Sequence, residues 1–368
     1  MHYFEFAEKD TTLYEASSSL NAGLDEVLEI RKDVSATGGS VDVSRILIKF
    51  DLSFISSSLE SGLITNPKYY LNLFDAKPTE LATSQSLYAY PVSQSWTMGD
   101  GRSYDNPVTS EGCSWTFRFG KINGQLWDSE IRESGATWFS GSGFEASHSF
   151  GHKTRDMRMD VTDIVNKWFS NNIPNNGFMV KRSGSIGNDA VNLDEGSSTL
   201  LGSFKFFSRD THTIYTPRLE AVWNSHVWNT GSLQDLDAAD LEDLQIFSTN
   251  LKPRYSTEFD GKIRIVGRPN NPTLSNSPTA SAYSVIKYLP TGSQYSVIDN
   301  YTDDIIIPYG TGSYISCDSR GNFIDLNTSG LQTQREYKLL IKVISGSYAG
   351  SAGTDTEVID NKFTFFIR

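Results

Sequence analysis

Few residues in this chain combine the type and the spacing that chemistry needs. His148 and His152 stand four apart in His-Ser-Phe-Gly-His, and on a helix that spacing puts two imidazoles on one face as metal ligands. Gly151 and the Ser-rich surroundings favour a loop or hairpin instead, and no Glu lies between the two, so zinc is not expected. His212 and His226 have no convincing partner in the sequence. The run Asp318-Ser-Arg-Gly-Asn322 matches half of a calcium loop but lacks the ladder of acids and the closing Glu, which makes a β-turn the better reading. The Asp-rich loops around Asp100 and Asp105 are compatible with a structural calcium, but their spacing gives it no defined ligands. No nucleophile elbow, phosphate loop or zinc signature occurs. Paired carboxylates for glycoside hydrolysis need not be neighbours in sequence, so their absence cannot be read here. No catalytic residue and no cofactor is assigned, and a non-enzyme is expected.

The residues best suited to binding are aromatic. Trp96, Trp115, Trp127 and Trp138, four of the seven tryptophans, lie in one irregular segment, Ser93 to His152, rich in Gly, Ser and Asp. They are candidates for a platform that stacks on sugar rings. Against that stands the need of long loops over a β-sandwich for bulky anchors that close small satellite cores.

The elements that would position these residues are mostly strands. Tyr numbers 17 against five Met, and aromatics are 12% of the 368 residues, a composition that favours strands over helices. The clearest strand is Arg45 to Leu52, with Ile46, Ile48, Phe50 and Leu52 on one face and Arg45, Lys49 and Asp51 on the other. Tyr69 to Phe74 and Leu87 to Tyr90 follow. Val161, Ile164, Val165 and Trp168 fall at helical spacing behind Asp160 and Thr162, which predicts one short helix. Asn176-Gly177 suits a turn needing positive φ, and Leu219, Ala221 and Trp223 alternate as in a half-buried strand.

Residues 225–250 differ in texture, with Leu233, Leu236, Leu241 and Leu244 set among Asp235, Asp237, Asp240, Glu242 and Asp243. They read as an acidic assembly linker, either docked through a helical turn or solvated. Beyond it, strand candidates recur at sandwich or barrel spacing: Lys262 to Val266, Ala282 to Tyr288, Tyr295 to Asp299, Asp304 to Pro308, Tyr314 to Asp318, Asn322 to Leu326, Tyr337 to Ile344 and Lys362 to Ile367. The expected organisation is a β-sandwich over 1–224, the linker, and a second β domain over 251–368.

Several of these runs together resemble a known family. Met159 to Phe169, Asn175 to Lys181, Phe206-Phe-Ser-Arg-Asp210 and Pro217 to Trp223, with Thr11 to Glu15, Ser19 to Gly23 and Ser44 to Leu52 upstream, are similar to the DNRLRE family of surface β-sandwiches, akin to carbohydrate-binding modules. The six-letter string that names that family is absent. The resemblance implies a jelly-roll-like sandwich over roughly residues 8 to 224. More loosely, Tyr295 to Asp299, Ile305 to Pro308, Ser316 to Phe323 and Leu331 to Val343 resemble a module of virion proteins of contractile-tailed, particularly marine, bacteriophages.

Composition narrows the partners. A formal net charge of -12 argues against nucleic acid, which requires a concentrated basic face. No run approaches the roughly 20 apolar residues of a membrane span. Cys113 and Cys317 fall in different expected domains and read as two buried thiols. The first residues lack the basic and apolar regions of a secretory signal, and the last ones read as a strand with no anchor behind it. The expectation is an all-β structural component of a tailed-bacteriophage virion, in the neck, tail, baseplate or fibre attachment, with capsid decoration also considered. It would assemble with copies of itself and other virion proteins. The alternative is a carbohydrate-binding adhesin for host surface polysaccharide, using the four tryptophans.

Overall fold

The computed structural model describes the chain outside residues 35–40, 78–84, 104–110, 121–123, 129–134, 152–155, 185–193, 237–240, 272–285 and 346–354. His152, Asp105, Asp237, Asp240 and most of the strand expected from Ala282 lie outside the described residues. The protein is nearly all β, and its chain divides into two compact units. One comprises Glu5–Ser61 and Lys68–Glu220; the other comprises Met1–Phe4, Gly62–Pro67 and Ala221–Arg368. The expected boundary at 224 thus falls near a change of unit. The first four residues were not expected in the C-terminal unit, where Phe4 is part of the core.

The N-terminal unit is built on strands β1 (His2–Tyr14), β2 (Val27–Val34), β3 (Val41–Phe50), β4 (Lys68–Leu73), β5 (Gln85–Pro91), β6 (Phe117–Phe119), β7 (Gln125–Leu126), β8 (Ala146–Phe150), β9 (Met157–Asp160), β10 (Phe178–Lys181), β11 (Gly202–Phe207) and β12 (Arg218–Val222). Ten of them form one sheet in the order β8-β5-β10-β3-β1-β12-β4-β9, with β2 branching from β3 and carrying β11; β6 and β7 pair separately. The ends of the sheet approach one another, because His148 on β8 hydrogen-bonds the main chain of Arg158 on β9.

Two eight-residue helices are described, α1 (Ser53–Glu60) and α2 (Thr162–Phe169). α2 is the predicted helix. Asp160 Oδ1 accepts from the Thr162 N–H at 3.1 Å and from its hydroxyl at 2.6 Å, while Ile164, Val165 and Trp168 are buried. α1 corrects the expectation of a single helix. Its Ser-Phe-Ile-Ser-Ser-Ser sequence has weak helix propensity, but Asp51 accepts from the Ser53 N–H at 3.0 Å and Ile55 is fully buried. Packing and a local turn outweigh propensity here.

The C-terminal unit carries β13 (Gln234–Asp235), β14 (Leu244–Ser248), β15 (Arg254–Tyr255), β16 (Asp260–Pro269), β17 (Lys287–Tyr288), β18 (Gln294–Asp299), β19 (Ile305–Ile307), β20 (Ser316–Asp318), β21 (Gly321–Asn327), β22 (Arg335–Ser345) and β23 (Asp355–Ile367). One sheet runs β13-β17-β16-β21-β20 with β14 also on β16; the other runs β15-β23-β22-β18-β19. Ile263, Ile265, Ile324 and Leu326 from the first share a core with Tyr295, Val297, Leu339, Ile341 and Phe365 from the second. The period-2 apolar residues of each strand supply this sandwich.

The reading of 225–250 as a linker is corrected. β14 pairs with β16 over five residues, from Leu244 opposite Pro269 to Ser248 opposite Ile265. Leu236 is 6% exposed in the core, Leu241 and Leu244 pack against that core, and Leu233 is half-buried. The acids around these leucines mask a strand, and β14 uses only part of the leucine spacing. Leu236→Ala is therefore expected to destabilise the C-terminal unit by about 2–4 kcal/mol, the range for a buried Leu. Urea unfolding checks this, and no loss of stability would restore the linker reading.

Candidate functional site

The chemistry-bearing residues of the N-terminal unit converge behind β3. Arg45, expected on the face of β3 shared with Lys49 and Asp51, is 1% exposed and donates to Glu195 from Nε at 3.1 Å and from Nη2 at 2.8 Å. Its Nη1 donates to the Gly135 carbonyl at 2.7 Å. Lys181 Nζ lies 3.0 Å from the same Glu195 carboxylate, with both side chains fully buried. Lys32 donates to the Glu195 main-chain oxygen at 2.6 Å. Arg182 is also buried, donates to Gln85 Oε1 at 2.7 Å, and is pushed down to about 10 by burial. Nothing in the spacing of Arg45, Lys181 and Glu195 along the sequence could have joined them.

Trp115 and Trp138 flank this group. Trp96, Trp115 and Trp127 are 2%, 5% and 2% exposed and form a core with Leu13, Val43, Leu47 and Met179. The indole of Trp96 donates to the Asn176 carbonyl and that of Trp127 to the Ser114 carbonyl, each at 2.9 Å. The Arg45 guanidinium lies 4.7 Å from the Trp115 ring centre and 5.2 Å from that of Trp138. Lys181 approaches Trp138 from 5.3 Å, and Trp138 is half-buried. The stacking expectation is corrected for Trp96, Trp115 and Trp127, whose buried rings are not available to a sugar. The alternative role as loop anchors is the one observed.

The other sequence candidates resolve singly. His148 packs against Phe150 with ring centres 4.9 Å apart, and burial lowers its pKa. Asp318 accepts from Arg264 at 2.6 and 2.8 Å and from the Arg320 N–H at 2.9 Å. Bonding to Arg264 holds its carboxyl down to about 2, and Gly321 has φ +111, so the run is a β-turn closed by an ion pair. Asp100 is exposed. Among the described residues no group of three or more His, Cys, Asp or Glu is placed to hold a metal. Both cysteines are buried free thiols; burial pushes Cys113 up to about 12 and Cys317 up to about 11.

A cavity of about 300 Å³ opens in the N-terminal unit between the end of β1, the approach to β2, and β11. Tyr14, Asp25, Glu26, Glu29, Arg102 and Lys205 supply its polar lining. Asp25 accepts from the Ser103 N–H at 2.9 Å. Glu29 is pinned by Arg31 at 2.8 Å and lies 3.5 Å from Lys205. Burial, with the Glu29 and Asp25 charges, raises the Tyr14 phenol far above its ordinary pKa and keeps it a donor. These residues are scattered over some 190 positions of sequence from Tyr14 to Lys205, which is why no motif announced them. No protein-family model matches the chain, and no curated protein matches it in sequence.

Glu195→Gln would leave Arg45 and Lys181 buried without a counter-charge, at a cost of about 3–5 kcal/mol. Trp127→Ala should cost about as much by opening a cavity. Chemical unfolding measures both, and a loss under about 1 kcal/mol for either would remove it from the structural core.

Proposed function

We propose that the protein is a structural component of a tailed-bacteriophage particle that acts through protein–protein assembly. The observation that carries the reading is where the chemically capable side chains lie. Three tryptophans and the Arg45–Lys181–Glu195 group are inside, and Asp318 is bound to Arg264. A fold whose polar and aromatic residues hold itself together suits a scaffold better than a catalyst. Its net charge of -12 disfavours a nucleic-acid partner, and no helix is long and apolar enough to cross a membrane among the described residues.

The contact surface is side-chain in character. Tyr301 and Ile305 are 65% and 60% exposed on the hairpin joining β18 and β19. β19 itself lies at a sheet edge but is three residues long, irregular in register, and flanked by Asp303, Asp304 and Pro308, features that block strand addition. Apolar burial of Tyr301 and Ile305 by another copy, with symmetry closing a ring, is the mode favoured.

The adhesin reading has less support, because Trp96, Trp115 and Trp127 are buried; the cavity near Tyr14 would be its site. Light scattering at rising concentration should give a defined oligomer that Tyr301→Ser with Ile305→Asp dissociates. A strict monomer with reproducible hits on a glycan array would favour the adhesin instead.

A further inference from the structure

Asp10, on β1 opposite Ile48 of β3, is 1% exposed. Its Oδ2 accepts from the Arg209 N–H at 2.7 Å. Its Oδ1 is buried and receives no hydrogen bond. The Arg209 guanidinium is engaged elsewhere: Nη1 donates to the Glu8 carbonyl, and Nε lies 3.8 Å from Asp210 Oδ2, itself buried and without a hydrogen bond. On β1 itself, Glu8 pairs with Lys49 at 2.9 Å, and Lys9 is directed to Trp96. Among the described residues the charges acting on Asp10 are therefore Arg209 and Asp210, one attracting and one repelling. A buried carboxylate with a single donor and an acid beside it is poorly compensated, and burying it neutral costs less than burying it charged.

The turn that holds Asp10 also holds the cavity. The Ser208 N–H donates to the Glu26 carbonyl at 3.0 Å, and the Ser208 hydroxyl accepts from the Asp210 N–H at 3.1 Å. Glu26 lines the cavity, and so does Lys205 on β11, three residues before Ser208. His212, at the far side of the turn, lies 3.5 Å from Glu26.

We propose that Asp10 is a proton-controlled latch: its neutral carboxyl keeps the turn 208–211 seated on β1, and its ionisation releases that turn from the Glu26 wall of the cavity. Burial, the largest influence, raises the Asp10 pKa to about 7; bonding from Arg209 opposes this and the Asp210 charge adds to it. Because the folded value lies above the ordinary 3.8, this contribution to stability is complete below about pH 4 and is lost as pH rises through about 7.

Hydrogen exchange of the Ser208 and Arg209 amides in the full chain, corrected for intrinsic rate, tests the latch between pH 5.5 and 8. Protection should fall about tenfold or more in the native protein and stay flat in Asp10→Asn. In Asp210→Asn the fall should shrink and move to lower pH. Flat protection in the native protein, or an undiminished fall in Asp10→Asn, overturns the proposal. Should Asp10→Asn fail to fold, the ¹³C carboxyl shift of Asp10 in the native protein decides alongside its exchange: a midpoint near 4 overturns the latch, and one near neutrality with falling protection supports it.

Discussion

Glu195 is the charge on which the N-terminal unit depends. It sits among Arg45, Lys181 and Lys32 with almost no access to water. Ions removed from water are tolerated only when their hydrogen bonds are complete. Arg45 meets this with Nε and Nη2 directed to Glu195, Nη1 to Gly135, and its guanidinium lying near the Trp115 and Trp138 rings. Glu195 is held in turn by its own main chain, whose N–H donates to the Ser183 carbonyl at 3.0 Å. Such a group adds little net stability over an apolar core of the same shape. It imposes geometry instead, since β3, β10 and the segments carrying Gly135 and Glu195 each have one position that satisfies it.

The long excursion between β5 and β8 follows from that requirement. It must cover the second face of β3 and still satisfy its own main chain. The tryptophans provide the cover, and Asn21 ties the loop down. Asn21 Nδ2 donates to the Met98 and Cys113 carbonyls, each at 2.7 Å, and Oδ1 accepts from the Gly101 N–H at 2.8 Å. Gly99 and Gly112 have positive φ and no room for a Cβ, which would lie 2.5 Å from Asn21 in either case. Trp96, Trp115 and Trp127 are thereby removed from solvent, and the cavity by Tyr14 is a concave feature among the described residues, with the turn at Ser208 bonded to its Glu26 wall.

The C-terminal unit reaches its order by simpler means. Its strands alternate in the expected way, its two sheets share one apolar core, and its hairpin at Asp318 is closed by Arg264. The segment from Trp228 to Ser248 completes it, with Trp228 bridging to Cys317 and β14 lying on β16. Asp235, Glu242 and Asp243 there are exposed and do not prevent strand pairing, since only alternate positions of a strand need be apolar.

The sequence by itself determined the class of structure and most of its elements. Strand patterning placed β3, β4, β5 and β16 to β23 but not β13 to β15, the 3.6-residue period placed α2, and Asn176-Gly177 placed a turn in which Gly177 has φ +90. These signals are local, and local physics sets them. Only the tertiary structure decided which faces are wet. Arg45 and Lys49 look alike along β3, yet Arg45 is buried against Glu195 while Lys49 pairs at the surface with Glu8. The same holds for the tryptophans, the leucines around Leu236 and the orphaned oxygen of Asp10. Each depends on segments distant in the chain, and the free energy of a buried charge or ring is fixed by partners that no window of sequence contains.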